Sequence, residues 1–191
     1  MVEMTKPKLL LPIPLTALLL AGSAAGAKSP DRVRRLEAEI LASSSATQAL
    51  TARCARLHLA DPPVIRAVRD HGTNQPAGPQ IRRLLKVGQD EPIRYRRVRL
   101  SCGAHVLSDA DNWYVPSRLS QDMNAALDNS ETPFGMVVKP LHFQRRTLKT
   151  EALRDGRHVL KVTALLVDDQ SRPFSLVQEN YSRLLVGLGD P

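Results

Sequence analysis

From Ile93 to Tyr181 the chain reads mostly as strands, and before that it reads mostly as helix. Ile93–Ser101 and Ala104–Val115 are strand-like runs joined by a turn at Cys102-Gly103. Phe143–Leu153 alternates in part, and His158–Val167 is β-branched and apolar. Asp168-Asp169-Gln170-Ser171-Arg172 then turns the chain into Pro173–Tyr181, a closing hairpin. Upstream, Ser29-Pro30-Asp31 is a helix start, followed by Val33, Leu36, Ile40 and Leu41 at helical spacing. A second start at Ser45 has Gln48 three residues on, the spacing of a capping box. Its apolar stripe is Ala46, Ala49, Leu50, Cys54 and Leu57, and Asp61-Pro62-Pro63 stops it. Val64–Arg69 alternates weakly and reads as a strand. Pro79 opens a short helix closed near Gly88, and Ser120 opens another carrying Met123, Ala126 and Leu127. Helices first and hairpin-linked strands later predict an α+β fold, an antiparallel sheet covered by helices. A chain of this length buries about 70% of its unfolded surface, enough for a core with an internal ligand cavity.

Residues 1–27 have the pattern of an export signal. Lys6 and Lys8 precede the apolar run Leu9–Ala21, and Gly22-Ser23-Ala24-Ala25-Gly26-Ala27 ends in an Ala-x-Ala pattern. The run is short for a membrane span of about 20 residues. The expectation is a Sec-type signal peptide cleaved after Ala27, leaving residues 28–191 as a periplasmic or secreted domain with no stable membrane insertion. An uncleaved anchor is the alternative. The net charge of +8 is carried mainly by arginine, while seven aromatic residues make a poor stacking platform for single-stranded nucleic acid. The basic balance suits small anionic ligands equally well, and no nucleic-acid partner is expected.

Phosphate-loop, dinucleotide, zinc-protease, EF-hand and nucleophile-elbow motifs are all absent. The five histidines lack ligand spacing, so no metal site is expected. Cys54 and Cys102 are too few for a disulfide scaffold or a four-cysteine zinc site. They pair as one disulfide, or Cys54 simply fills the apolar stripe of its helix. Arg94, Arg96, Arg97 and Arg99 crowd one strand, and alternation puts Arg94 and Arg96 on one face, Arg97 and Arg99 on the other. They either blunt a solvated edge strand or turn one guanidinium inward to grip a carboxylate.

At Tyr95-Arg96-Arg97-Val98-Arg99-Leu100, Leu107–Pro116, Thr132-Pro133-Phe134-Gly135 and Pro173–Tyr181, the chain resembles the chorismate lyase (chorismate pyruvate-lyase) family. Arg97, Cys102 and Pro116 keep that family's spacing of an arginine, a strand-ending cysteine and a Val-Pro. The resemblance implies a six-stranded antiparallel sheet with helices over a buried ligand site. It implies cofactor-free elimination of pyruvate from chorismate to give 4-hydroxybenzoate, chemistry that feeds ubiquinone biosynthesis. Arg97 would bind the ring carboxylate, and Glu179 would hydrogen-bond near the hydroxyl end. Backbone groups at Ala46 and Phe134 would complete the substrate site. An arginine and a carboxyl in a dry cavity suffice for holding a dianion poised to aromatise and assisting one proton movement. Counting from the hairpin proline, literal register gives Gln178 rather than Glu179, unless a bulge absorbs the difference. Glu179 otherwise reads as a strand-end carboxylate paired to Arg172 or Arg183, and Phe134 as a core residue.

Three functions follow in order. The first is an enzyme, a lyase acting as a monomer on a small anionic aromatic or enolpyruvyl carboxylate. The second is a non-catalytic binding protein for aromatic carboxylates, since a regulatory ligand-binding family shares a similar fold. The third is an interaction protein using its arginine-rich surface.

Overall fold

The computed structural model describes Met1 and residues 29–187; the expected signal peptide and its cleavage point lie outside residues 29–187. Six strands form one antiparallel sheet: β1 (Ile65–Arg69), β2 (Arg94–Cys102), β3 (His105–Tyr114), β4 (Gln144–Ala152), β5 (His158–Val167) and β6 (Pro173–Ser182). Their spatial order is β1-β2-β3-β6-β5-β4. The last two hairpins therefore insert β6 beside β3, at the centre, and send β4 to the far edge. Helices α1 (Ser29–Ala42), α2 (Ala46–Arg56), α3 (Pro79–Leu85), α4 (Gln121–Asn129), α5 (Phe134–Val137) and α6 (Leu184–Gly187) complete the elements. The α+β class and the six-stranded antiparallel sheet match what the sequence predicts.

Helix α2 begins where Ser45 caps it, its hydroxyl accepting from the Gln48 N–H at 3.2 Å. The reciprocal half of the box is missing, because the Gln48 carbonyl accepts from the Ser44 hydroxyl instead. Along β2 the helix-covered face carries Arg96, Val98, Leu100 and Cys102, and across β3 it continues as Asn112 and Ala110. Leu36, Ile40, Leu50 and Cys54 of the first two helices pack on this face, as do Leu127 of α4 and Phe134 of α5. On the opposite face only the end near α3 is covered, where Leu85 meets Trp113 and Leu176. The hairpin between β2 and β3 turns at Gly103 with φ +55, where an added Cβ would approach Ala60 Cβ to 3.1 Å; glycine alone takes that conformation freely.

Cys54 and Cys102 form a disulfide with a Cα–Cα distance of 6.3 Å, tying α2 to the end of β2. Both residues are fully buried. Among the described residues, no helix is long and apolar enough to cross a membrane.

Candidate functional site

A small cavity of about 40 Å³ lies between the sheet and the starts of α2 and α5. Its walls include Ala46 and Thr47 from α2, Phe134 and Gly135 from α5, and Arg145, Val177 and Glu179 from the sheet. The volume accommodates about three waters. It adjoins an outer cleft of about 750 Å³, with which it shares Ser45, Thr47, Gly135 and Phe143. The first N–H groups of a helix have no intrahelical acceptor, so Ala46 and Thr47 bring free backbone donors to this wall. The Phe134 ring packs between Tyr114 and Phe174, with centroids 5.5 and 6.5 Å away, so its side chain also serves the core.

Glu179 faces this cavity from β6, on the same face as Tyr181 two residues on. Its carboxylate accepts from the Tyr181 hydroxyl at 2.8 Å and from the Arg145 guanidinium. Both members of the ion pair are buried, with side chains 4% and 8% exposed. Burial opposes the Arg145 charge, but Glu179, Tyr181 and the hydrogen bond to Glu179 outweigh it and raise its pKa. Burial first, and then the Glu179 charge, push the Tyr181 phenol well above its ordinary value. Gln178 lies on the other face, opposite Asp111 and Thr163. At the start of β6 the pairing with β5 shifts between Leu166 and Val167, so β6 carries one extra residue, Phe174, there. The partner of Glu179 is thus Arg145, neither Arg172 nor Arg183.

Arg97 does not reach the cavity. It lies on the far face of the sheet, where its Nη1 donates to Asp111 at 3.0 and 3.2 Å and its Nε stands 3.6 Å from Asp70. The cause is parity. Successive strand residues alternate faces, and β2 runs without an inserted residue from Arg94 to Cys102, the extra residue opposite Leu100/Ser101 being Leu107 of β3. An arginine five residues before the inward-facing Cys102 must point outward. The inward arginine is Arg96, 1% exposed. Its Nη2 donates only at 3.4 Å, to the carbonyls of Ser130 and Thr132, while Nε and Nη1 are buried without a partner. Burial, and then the nearby Arg69, lower its pKa. Asn112, which lines the cavity, donates to the Arg96 carbonyl at 3.4 Å.

Of the four expected site residues, the fold gathers Ala46, Phe134 and Glu179 and leaves Arg97 outside. The sequence reading missed Arg145 and Arg96. Alternation already set Arg96 apart from Arg97, but the Gln144-Arg145-Arg146 run reads simply as a charged edge strand. Among the described residues, no group of three His, Cys, Asp or Glu side chains is placed to hold a metal ion.

No family model matches the chain. It is 45% identical over 123 residues to the uncharacterised protein y4mC of Sinorhizobium fredii (strain NBRC 101917 / NGR234), covering 63% of this chain and 52% of that protein. The chain therefore spans about half the length of the curated relative it matches. Among solved structures it is similar to PhnF from Mycobacterium smegmatis, with TM-score 0.56 and 10% identity over 76% of this chain and 67% of that one. The PhnF effector domain gives TM-score 0.54 and 11% identity, over 73% and 89% of the two chains. A GntR-family transcriptional regulator from Enterococcus faecalis V583 gives TM-score 0.45 and 14% identity, over 63% and 94%. At these identities the two PhnF likenesses establish the fold alone, which is chorismate lyase-like.

The comparisons correct four expectations. The identification with the chorismate lyase family, the lyase reaction and its place in ubiquinone biosynthesis are overturned, because the solved neighbours that share the fold are PhnF and its effector domain, and the sequence relative is uncharacterised. The periplasmic or secreted location is withdrawn with them, because PhnF and its effector domain, the neighbours that share the fold, give it no support.

Proposed function

We propose that this chain is a non-catalytic effector-binding domain that takes a small anion with an aromatic or unsaturated body between α2, α5 and the sheet. The observation that carries this reading is Arg145, a buried guanidinium in the cavity wall whose Nε has no partner. A buried polar group without a partner is unfavourable, and an entering carboxylate relieves it. Arg96, cross-strand from Asn112, is a second buried guanidinium, and its Nε and Nη1 have no partner. The inner cavity has room for the carboxylate, while Phe143 at the shared mouth and Met136 in the outer cleft offer the apolar surface for a planar body. Glu179 Oε2 accepts from both Arg145 and Tyr181, which ties the carboxylate into a buried ion pair and favours binding over proton transfer. The PhnF structure that shares this fold is described as an effector domain, in keeping with a sensing role.

Calorimetric titration of the full chain with 4-hydroxybenzoate tests the reading. Saturable binding is expected, weakened at least about tenfold by Arg145→Met. Gly135→Leu, at the shared mouth, provides a second variant that leaves the buried charges intact. An alanine-sized Cβ there would meet Ser45 Cβ at 3.4 Å and Thr47 Oγ1 at 3.6 Å, so a leucine fills the passage. Binding that both variants leave unchanged, or no binding at all by the wild type, refutes the assignment.

A further inference from the structure

The face of the sheet opposite the inner cavity carries a second pocket, about 240 Å³, at the end where β5 begins and β6 stops. Its lining includes Arg99, Asp109, Arg157, His158 and Ser182. Arg99 is the direct cross-strand neighbour of Asp109. An ion pair there is the simplest outcome, yet none forms. His158 takes the carboxylate instead, its Nε2 lying 2.8 Å from Asp109 Oδ2. The other ring nitrogen, Nδ1, lies 2.8 Å from Asp155 Oδ2. Asp155 also accepts from the backbone N–H groups of Arg157 and His158, at 2.8 and 2.6 Å. These bonds, led by the His158 N–H, hold the Asp155 carboxyl down at about 2.

One imidazole thus lies within hydrogen-bond distance of both carboxylates and holds them away from the arginines beside it. Among the described residues, the side chains of Arg99 and Arg157 make no hydrogen bond or ion pair. Two cations from different strands and turns therefore share one concavity without a carboxylate in direct contact, Asp70 acting on Arg99 only through space. Ser182 adds a hydroxyl that accepts from the Leu184 N–H at 3.2 Å and keeps its own hydrogen to donate. The pocket is below the ~300 Å³ at which sites for drug-sized molecules begin, and suits a small ion or one group of a larger molecule. Guanidinium forks and a hydroxyl are the usual donors to a phosphate-class oxyanion.

We propose that Arg99, Arg157 and Ser182 form an oxyanion site for a phosphate group, separate from the cavity on the opposite face and independent of its assignment. His158 is a positioning residue here: it keeps Asp109 and Asp155 off the two arginines.

The experiment is titration of the full chain with inorganic phosphate, followed by calorimetry. The wild type is expected to bind saturably near ~1 mM, and Arg157→Ala, in an exposed turn, to weaken binding roughly tenfold. Arg99→Ala is expected to act likewise, while Arg145→Met, on the other face, leaves the affinity unchanged. Glycerol 3-phosphate binding more tightly than phosphate would identify an ester as the natural ligand, and weaker binding the free ion; both support the site. Absence of saturable phosphate binding overturns the proposal. So does binding that survives the Arg99→Ala/Arg157→Ala double variant, or binding lost in Arg145→Met alone, which would place the phosphate in the inner cavity.

Discussion

Replacing Arg96 by methionine is expected to make the unliganded protein more stable. The guanidinium is 1% exposed, and the acid nearest in charge terms, Asp128, is engaged by Arg94 at 2.8 Å and faces Arg69 at 3.8 Å. What the substitution removes is small. Two Nη2 contacts at 3.4 Å, to the Ser130 and Thr132 carbonyls, contribute about 1 kcal/mol together at that length. What it relieves is larger, since a buried ion without a counter-charge is destabilised by several kcal/mol of lost hydration. Methionine has comparable reach and adapts to an irregular space, so little cavity is left. The balance is a stabilisation of about 1–3 kcal/mol, or roughly 2–4 °C in Tm for each kcal/mol in a domain of this size. Urea denaturation read by fluorescence of Trp113 measures it directly, because Trp113 is the only tryptophan and is 1% exposed. The same variant should bind 4-hydroxybenzoate less well. A loss of more than about 1 kcal/mol on substitution would refute the reasoning, by showing that Arg96 is compensated in the unliganded protein.

Glu179→Gln should act with the opposite sign. It strips Arg145 of its buried counter-charge and is expected to destabilise by about 3–5 kcal/mol in the same assay. A change below about 1 kcal/mol would show that the pair is not held in the folded protein. The disulfide closes 48 residues, so Cys54→Ala/Cys102→Ala is expected to lose about 4 kcal/mol against the oxidised protein by urea titration. All three tyrosines should resist ionisation near the ordinary phenol value. Burial, and then Asp111, push Tyr95 up to about 12, and Tyr114 and Tyr181 are raised too, chiefly by burial. The folded state therefore holds these protons more tightly than the unfolded chain. Their contribution is complete below about pH 10 and is lost as pH rises towards 12. Phenolate absorbance appearing at pH 10 in protein that remains folded would contradict this.

Much of the architecture is local in origin and was legible in the residues. Periods of 3.6 and 2 separate the helical first part from the stranded second part, and caps and turns at Ser45, Ser120 and Gly103 mark boundaries because their chemistry acts over a few residues. Strand parity likewise divides Arg94 and Arg96 from Arg97 and Arg99. Which of the two sets faces the core is another matter. Parity fixes the residues that share a face, but only the helices packed on the sheet decide which face is covered. That is why a spacing to Cys102 pointed to Arg97 while the buried guanidinium belongs to Arg96.

The site itself is a product of strand order. Placing β6 beside β3 and β4 at the far edge brings Arg145 to Glu179, 34 residues away in sequence. It also lays residues 130–132 over Arg96. These are non-local contacts, chosen by the burial of the whole sheet face rather than by any segment's own preference. The sequence by itself determined the elements and the two alternating sets of side chains. Only the tertiary structure decided which charges lost their water, and therefore where an anion has reason to bind.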